Sequence, residues 1–289
     1  MKPAKFDYLR AESVRQAVAA LDQEEGAAIV LAGGQTLVPM LSMRLARPAL
    51  VVDINQISEL AGITLEDDEL LIKACTRQAE ILTSPLVKRH AHLLSKAVAF
   101  VGHQQTRNRG TVGGSLSHAD PASEIPLATL ALNASVSLHS VDGMRKVALV
   151  DYFLGPMMTV RKDNELLVAL HIPLSKGRRG SGFHEVSERR GDFAVVGAAA
   201  VIGLDRSGVC NHATLAIGGA DGTPKRIHVA ENKLQGIVLT DKNISSSLTG
   251  LENYLEPSDD QHAGATYRCR VARILAERAI QDAKAEARR

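Results

Sequence analysis

The sequence predicts an α+β protein in two parts, residues 1–176 and a smaller C-terminal part, residues 177–289. Three observations support this prediction. A strand, a glycine pair, a helix and a second strand follow one another within residues 1–57. Hairpin patterns with polar tips alternate with helical segments over residues 58–176. A segment rich in Gly, Arg and Ser then precedes long apolar strands and a C-terminal helix.

The first 57 residues predict a β-α-β-like unit. Ser13 is a candidate N-cap of an amphipathic helix that ends at Gly26. Residues 27–31 predict a buried strand, 38–45 a helix and 50–54 a second strand. The glycine pair lies where the first strand meets the helix. That segment reads Leu31-Ala32-Gly33-Gly34-Gln35-Thr36-Leu37.

Glycine pairs of this kind favour phosphate binding. Glycine permits positive φ and close approach of a ligand, and successive backbone N–H groups then form a concavity that binds anions. A second such segment reads Thr111-Val112-Gly113-Gly114-Ser115 and follows an arginine-rich turn at residues 107–110. Two segments suggest two bridged phosphates, and so a dinucleotide. The alternative for each is an ordinary turn.

Residues 58–176 predict hairpins and helices. Residues 63–72 form a hairpin pattern whose acidic tip, residues 66–69, is typical of a solvated turn. Ser84 and Pro85 begin a helix that extends to Val98. Residues 135–148 predict a second hairpin around Asp142-Gly143.

The C-terminal part begins after a predicted linker at residues 173–182. Residues 193–202 predict an apolar strand, 205–208 a turn and 213–217 the partner strand. Apolar residues at helical spacing then mark one face of a long C-terminal helix; they are Val271, Ile274, Leu275 and Ala279.

Composition excludes several classes of function. The formal net charge is +2 and aromatic residues make up 3%, so no nucleic-acid partner is expected. No apolar run reaches the length of a membrane span, and the N-terminus lacks the apolar core of a signal peptide. We therefore expect a cytoplasmic protein. Cys75, Cys210 and Cys269 are scattered, which excludes a local zinc or iron–sulfur cluster of ligands, and no metal site is predicted.

The motifs of common nucleotide enzymes are also missing. There is no G-x-G-x-x-G after a strand and no G-x-x-x-x-G-K-[ST]. No nucleophile elbow or HExxH occurs, and we predict no catalytic residue. His103 and His118 flank the second glycine segment and read best as hydrogen-bonding or surface groups. A dinucleotide site without a catalytic set favours a flavin, because the redox chemistry of a flavin lies in the cofactor.

These segments also carry a family resemblance. The chain resembles the FAD-binding medium subunits of the molybdenum hydroxylases, which include carbon monoxide, xanthine and nicotine dehydrogenases. The likeness extends over nearly the whole chain. It is carried by residues 32–39 (AGGQTLVP), 107–116 (RNRGTVGGSL), 118–124 (HADPASE), 188–194 (ERRGDFA) and 217–220 (IGGA).

The resemblance implies the FAD-binding fold of the vanillyl-alcohol oxidase type. FAD would lie between subdomains of about 1–57 and 58–176, followed by a small sheet-plus-helix domain, 177–289. The two glycine segments would hold the pyrophosphate from opposite sides. Asp120 or Glu124 would lie near the ribose and phosphates, Leu167 near the adenine, and Phe193 beside the isoalloxazine; Val101 is also expected to contact the cofactor. Relatives often carry lysine where this chain has His184-Glu185, and asparagine where it has Ser115.

The resemblance further implies a role in electron transfer. FAD would take electrons from [2Fe-2S] clusters of a small partner subunit, reduced by a molybdenum–pterin centre in a large subunit, and pass them to an external acceptor. A dimer of heterotrimers is expected, and NAD, quinone and a cytochrome remain possible acceptors. Two alternatives stay open: a self-sufficient FAD oxidoreductase of the same fold, and a non-catalytic nucleotide-binding or assembly protein.

Overall fold

The computed structural model describes residues 2–175 and 177–288. Its first unit is a three-stranded parallel sheet with strand order β1-β3-β2. In chain order its elements are β1 (Asp7–Arg10), α1 (Val14–Gln23), β2 (Ala28–Leu31), α2 (Leu37–Ser42) and β3 (Leu50–Asp53).

The local sequence explains this unit. The Ser13 side chain accepts a hydrogen bond from the N–H of Gln16, which confirms the predicted N-cap of α1. Val14, Ala17 and Leu21 recur at helical spacing and are buried. They pack against β3 and against a strand of the next sheet. The predicted strand–helix–strand unit is therefore confirmed, and its glycine pair lies between β2 and α2.

The second unit is a five-stranded antiparallel sheet covered on one face by short helices. Its strand order is β4-β5-β10-β6-β7. Two further short strands, β8 and β9, pair with each other. The elements are β4 (Ile63–Glu66), β5 (Glu69–Lys73), α3 (Gln78–Thr83), α4 (Pro85–His90), α5 (His92–Val98), α6 (Gln104–Arg109), α7 (Val112–His118), α8 (Glu124–Ala131), β6 (Ser135–Ser140), β7 (Gly143–Ala148), β8 (Phe153–Gly155), β9 (Met158–Thr159) and β10 (Leu166–Pro173).

Both predicted hairpins are confirmed, as β4–β5 and β6–β7. Three expectations need correction. The predicted helix from residue 84 to 98 is two helices, because the backbone of Ala91 leaves the helical region (φ −139°, ψ 48°). The predicted arginine-rich turn lies at the end of helix α6. The second glycine pair lies in the first turn of α7, not in a loop.

The C-terminal unit is a four-stranded antiparallel sheet, in the order β11-β12-β13-β14, packed against a long helix. Its elements are β11 (Arg179–Val186), β12 (Val196–Leu204), β13 (Cys210–Gly218), β14 (Lys225–Arg226), α9 (His228–Leu234), α10 (Asp241–Ser247) and α11 (Ala265–Ala287). The predicted linker is too long: β10 extends to Pro173 and β11 begins at Arg179. The predicted strand over 193–202 begins only at Val196, so Phe193 precedes it.

The burial of strand β12 on both faces explains why its sequence is apolar. All nine of its residues are buried, because the sheet is covered on both faces. Ala199 and Val201 pack with helices of the second unit, whereas Ala198, Ala200 and Ile202 pack with α11 and its neighbours. A strand buried on both faces reads as a continuous apolar run. The second and third units therefore share an apolar core.

Candidate functional site

A cavity of about 330 Å³ opens where the parallel strands β2 and β3 end. The carboxyl ends of parallel strands are the usual binding edge of α/β units. The cavity is lined by Leu31, Ala32, Gly33, Gly34, Gln35, Val38, Pro39, Asp53, Asn55 and Arg109. Five predicted site residues thus lie together. Of the other two residues predicted in this segment, Thr36 is the N-cap of α2 and Leu37 its first residue.

The backbone of this first glycine segment offers a row of hydrogen-bond donors. The N–H groups of residues 33–37 donate to no acceptor within residues 2–175 and 177–288. Gly34 has a φ of +73°, and its carbonyl accepts the N–H of Val38 at 3.1 Å, which closes the turn. Consecutive free N–H groups in a turn make an anion-binding concavity. The segment thus has the donors that a phosphate needs.

A polar network fixes this segment to the chain before Thr111. Asn55 Nδ2 donates to the carbonyl of Ala32 at 2.7 Å. Arg77 donates from Nη2 to Asn55 Oδ1 at 2.8 Å and from Nη1 to the carbonyl of Arg109 at 2.5 Å. The network therefore ties the ends of β2 and β3 to helix α6.

Direct packing brings the first glycine segment into contact with the residues just before the second one. A Cβ on Gly33 would overlap the carbonyl oxygen of Arg109 and would lie 2.9 Å from the Cα of Gly110. Since real Cβ atoms do not approach that closely, this position requires glycine. The residues just before Thr111 consequently form one wall of the first segment.

The cavity carries one fixed carboxylate. Asp53 accepts hydrogen bonds from Tyr8 Oη at 2.6 Å and from Asn55 Nδ2 at 2.7 Å. Burial by itself raises the pKa of Asp53, but these hydrogen bonds outweigh it and hold the pKa below the usual range. Asp53 is therefore ionised at neutral pH.

The second glycine segment differs from the first. The Thr111 hydroxyl accepts the N–H of Gly114 at 3.1 Å, and the N–H groups of Val112 and Gly113 donate to the carbonyls of Thr76 and Ala74. The N–H of Ser115 bonds back to Thr111. Neither Gly113 nor Gly114 has a positive φ. The expectation of free N–H groups at positive φ is therefore wrong for residues 112–115, whose amides are used inside the protein.

Of the acidic residues predicted near the ribose, Glu124 is the first residue of α8 and Asp120 lies in the loop before it. Glu124 is 4% exposed, and burial raises its pKa to about 8, with the charges of Glu185 and Asp120 adding to the effect. Burial also raises the pKa of Glu185 to about 7, and its Oε2 atom is buried without a hydrogen-bond partner in the part of the chain described. Asp120 accepts the N–H of Ala122 at 2.9 Å. Glu124 is thus mainly protonated at neutral pH.

Val101 and Phe193 lie on loops that meet each other. The carbonyls of Val101 and Gly102 both accept hydrogen bonds from Arg107 Nη1 at 2.8 Å. Gly191, two residues before Phe193, packs against the carbonyl of Gly102. The Phe193 side chain itself is 61% exposed. Arg107 therefore stabilises the loop of Val101 and Gly102, against which the loop of Phe193 packs.

Leu167 has a different environment. It lies in β10, is 3% exposed and belongs to the apolar core beneath the short helices. It does not line the cavity at β2 and β3.

Comparison with known proteins decides the family. Residues 4–175 match the model described as the FAD binding domain in molybdopterin dehydrogenase, and residues 181–283 match the CO dehydrogenase flavoprotein C-terminal domain. The chain belongs to this family of FAD-binding dehydrogenase subunits.

Relatives and solved structures agree over the full length. The chain is 39% identical to the 6-hydroxypseudooxynicotine dehydrogenase complex subunit alpha of Paenarthrobacter nicotinovorans, covering 100% of this chain and 97% of the relative. It is 32% identical to the carbon monoxide dehydrogenase medium chain of Hydrogenophaga pseudoflava, covering 98% of each. The structure matches carbon monoxide dehydrogenase from that organism with a TM-score of 0.95 at 33% identity, covering 99% of each chain. It matches quinoline 2-oxidoreductase from Pseudomonas putida 86 with a TM-score of 0.93 at 32% identity, also covering 99% of each.

For an FAD-binding dehydrogenase subunit, the first glycine segment fits the cofactor. Its free N–H groups suit the two phosphates of FAD. The sequence reading missed five lining residues: Val38, Pro39, Asp53, Asn55 and Arg109. A usable signal was present for two of them, because Asp53 lies near the end of the predicted strand 50–54 and Asn55 follows it, and the strands of a β-α-β unit are parallel and end at the same edge.

Within residues 2–175 and 177–288, no group of three or more His, Cys, Asp or Glu side chains is placed to hold a metal ion. Among the helices described, none has the length and apolar composition to cross a bilayer.

Proposed function

We propose that this chain is the FAD-carrying electron-transfer subunit of a molybdenum-containing hydroxylase. It takes electrons from [2Fe-2S] clusters of a partner subunit and passes them to an external acceptor. One observation carries the proposal: the backbone N–H groups of residues 33–35 line a cavity and donate to no acceptor within residues 2–175 and 177–288, in a chain matched along its length by two flavoprotein domain models.

The residues of this chain bind and orient the cofactor. Residues 31–37 hold the diphosphate, and residues 111–115 form the other side of the site. Asp120 or Glu124 lies near the ribose and phosphates, and Leu167 near the adenine. The contact between the Val101 and Phe193 loops supports a common role for these two residues beside the isoalloxazine. When bound, FAD supplies the redox chemistry in that ring.

We assign the architecture to the vanillyl-alcohol oxidase type. The subdomains are about 1–57 and 58–176, with a C-terminal domain over 177–289. The three sheets support this division, because the parallel sheet ends at Asp53 and the C-terminal sheet begins at Arg179.

The iron–sulfur clusters and the molybdenum–pterin belong to partner subunits. Each ordinary [2Fe-2S] cluster needs four thiolates, whereas this chain has three cysteines. Burial raises the pKa of Cys75 to about 11 and also raises the pKa of Cys210 and of Cys269. We propose a large molybdenum subunit and a small iron–sulfur subunit as partners, assembled as a cytoplasmic dimer of heterotrimers.

Purification of the native complex tests the proposal. The full chain is expected to show an FAD absorption spectrum and to co-purify with two further chains that carry molybdenum and iron. Reduction of the iron–sulfur chain should be followed by bleaching of the flavin. A colourless chain that binds no FAD would contradict the assignment. Turnover of an organic substrate by the isolated chain would instead support a self-sufficient oxidoreductase.

A further inference from the structure

Arg109 is a cation at the cavity whose guanidinium has no partner among the described residues. It lies at the end of α6 and lines the same cavity as Gly33, Gly34 and Gln35. Its side chain is exposed, and its guanidinium makes no hydrogen bond or ion pair with any residue in 2–175 or 177–288. The neighbouring Arg77 differs, since it donates to Asn55 and to the Arg109 carbonyl.

The charges of the cavity and of a diphosphate favour a cation at this edge. Asp53 is ionised and lines the cavity beside the free N–H groups. A diphosphate brings further negative charge, and like charges at close range repel. The N–H groups contribute only partial positive charge. A guanidinium at this edge would offset the carboxylate and bind phosphate oxygens through two parallel N–H donors.

The backbone of Arg109 is held beside the first glycine segment. Arg77 binds its carbonyl, and Gly33 packs directly against that same carbonyl. The Cα of Arg109 is thus fixed beside the cavity, while the side chain keeps its freedom.

We propose that the Arg109 guanidinium closes over the first glycine segment and pairs with the diphosphate of FAD. Arg77 binds no ligand in this scheme and fixes the backbone from which Arg109 reaches the cavity. The inference rests on the proposed function and adds to it a residue that selects ligands bearing a diphosphate.

The test compares Arg109→Gln with the wild-type full chain after FAD has been removed. Titration with FAD and with ADP is expected to show affinity lowered about 10- to 100-fold for both, as for loss of a charge-assisted contact. Added salt should weaken FAD binding less in the variant than in the wild type, because screening acts on the missing charge. Arg109→Lys should give an intermediate affinity, since lysine lacks the planar fork.

Arg15→Gln is the matched control. Arg15 is an exposed arginine on α1 and does not line the cavity, so its loss should leave FAD affinity unchanged. Wild-type affinity in Arg109→Gln would overturn the inference and leave the proposed function standing. Weaker binding with the salt dependence of the wild type would also overturn it, since Arg109 would then act through the shape of the loop. Failure of the wild-type chain to bind FAD would overturn both.

Discussion

Replacement of Glu124 by glutamine tests the buried acidic group at the start of α8. Burial raises the pKa of Glu124 from 4.5 to about 8. A carboxyl with a higher pKa in the folded state binds its proton more tightly there than in the unfolded chain. The free energy of unfolding therefore falls as the pH rises from about 4.5 to about 8.

The size of the stability change follows from the pKa shift of Glu124. One pKa unit corresponds to about 1.4 kcal/mol, so the protein loses roughly 3 kcal/mol from this group between acidic pH and pH 7. Glutamine resembles the protonated carboxyl in shape and cannot ionise. Glu124→Gln should therefore match the wild type at about pH 4 and should be more stable by a few kcal/mol at pH 8 to 9.

Urea unfolding of the full chain at a series of pH values measures this difference. Because the pKa of Glu185 is also raised, to about 7, the stability of the single variant should still fall somewhat as the pH rises. The double variant with Glu185→Gln should remove this remaining pH dependence. Glu256→Gln, at an exposed position, is the control and should follow the wild type. If Glu124→Gln lost stability in parallel with the wild type from pH 5 to 8, the carboxyl would be ionised in the folded protein and the argument from burial would fail.

Two further variants test the site and the C-terminal unit. Gly34→Val should abolish FAD retention, because a β-branched residue at φ +73° is strained by about 1–2 kcal/mol and its Cβ would lie 3.0 Å from Val38 Cγ2. The control is Gly208→Val, in an open turn at φ +84°, which should keep the flavin. Equal flavin content in the two variants would contradict this prediction. Arg226→Met should cost about 3–5 kcal/mol in urea unfolding, because it leaves the buried carboxylate of Glu231 without its bidentate partner. Adding Glu231→Gln should recover part of the loss, and a wild-type midpoint for the single variant would show that the pair contributes nothing.

The sequence predicted the local structure around the first glycine segment better than that around the second. Ser13, the strand before Gly33 and the helix after Thr36 all follow from spacing and capping rules, and each lies where it was predicted. The cavity lining contributed by Arg109 was missed, because this residue reaches the loop through tertiary packing. Local sequence patterns do not show which side chains tertiary packing brings to a loop.

The second glycine pair shows where composition misleads. Gly113 and Gly114 look like the first pair in sequence, yet they have negative φ values and bonded amides within α7. Thr111 precedes Gly114 by three residues, which is the spacing of a helix N-cap and the amide that it binds. The capping pattern predicts a helix start and the glycine pair predicts a turn. The helix forms here, because the first turn of α7 also packs against Ala74.

The linker prediction fails for a related physical reason. Gly180 and Ser181 suggested a solvated connection, but both are buried in β11. Small residues are used there because α11 lies directly on the strand: a Cβ on Gly180 would overlap the carbonyl of Ala283. The opposite face of the same sheet packs on α5 and α8, and Lys96 of α5 binds both the Ser181 carbonyl and Glu286 of α11. The C-terminal sheet therefore packs on helices of two units, α5 and α8 of the second unit on one face and α11 of its own unit on the other, and α5 and α8 depend on it for their burial.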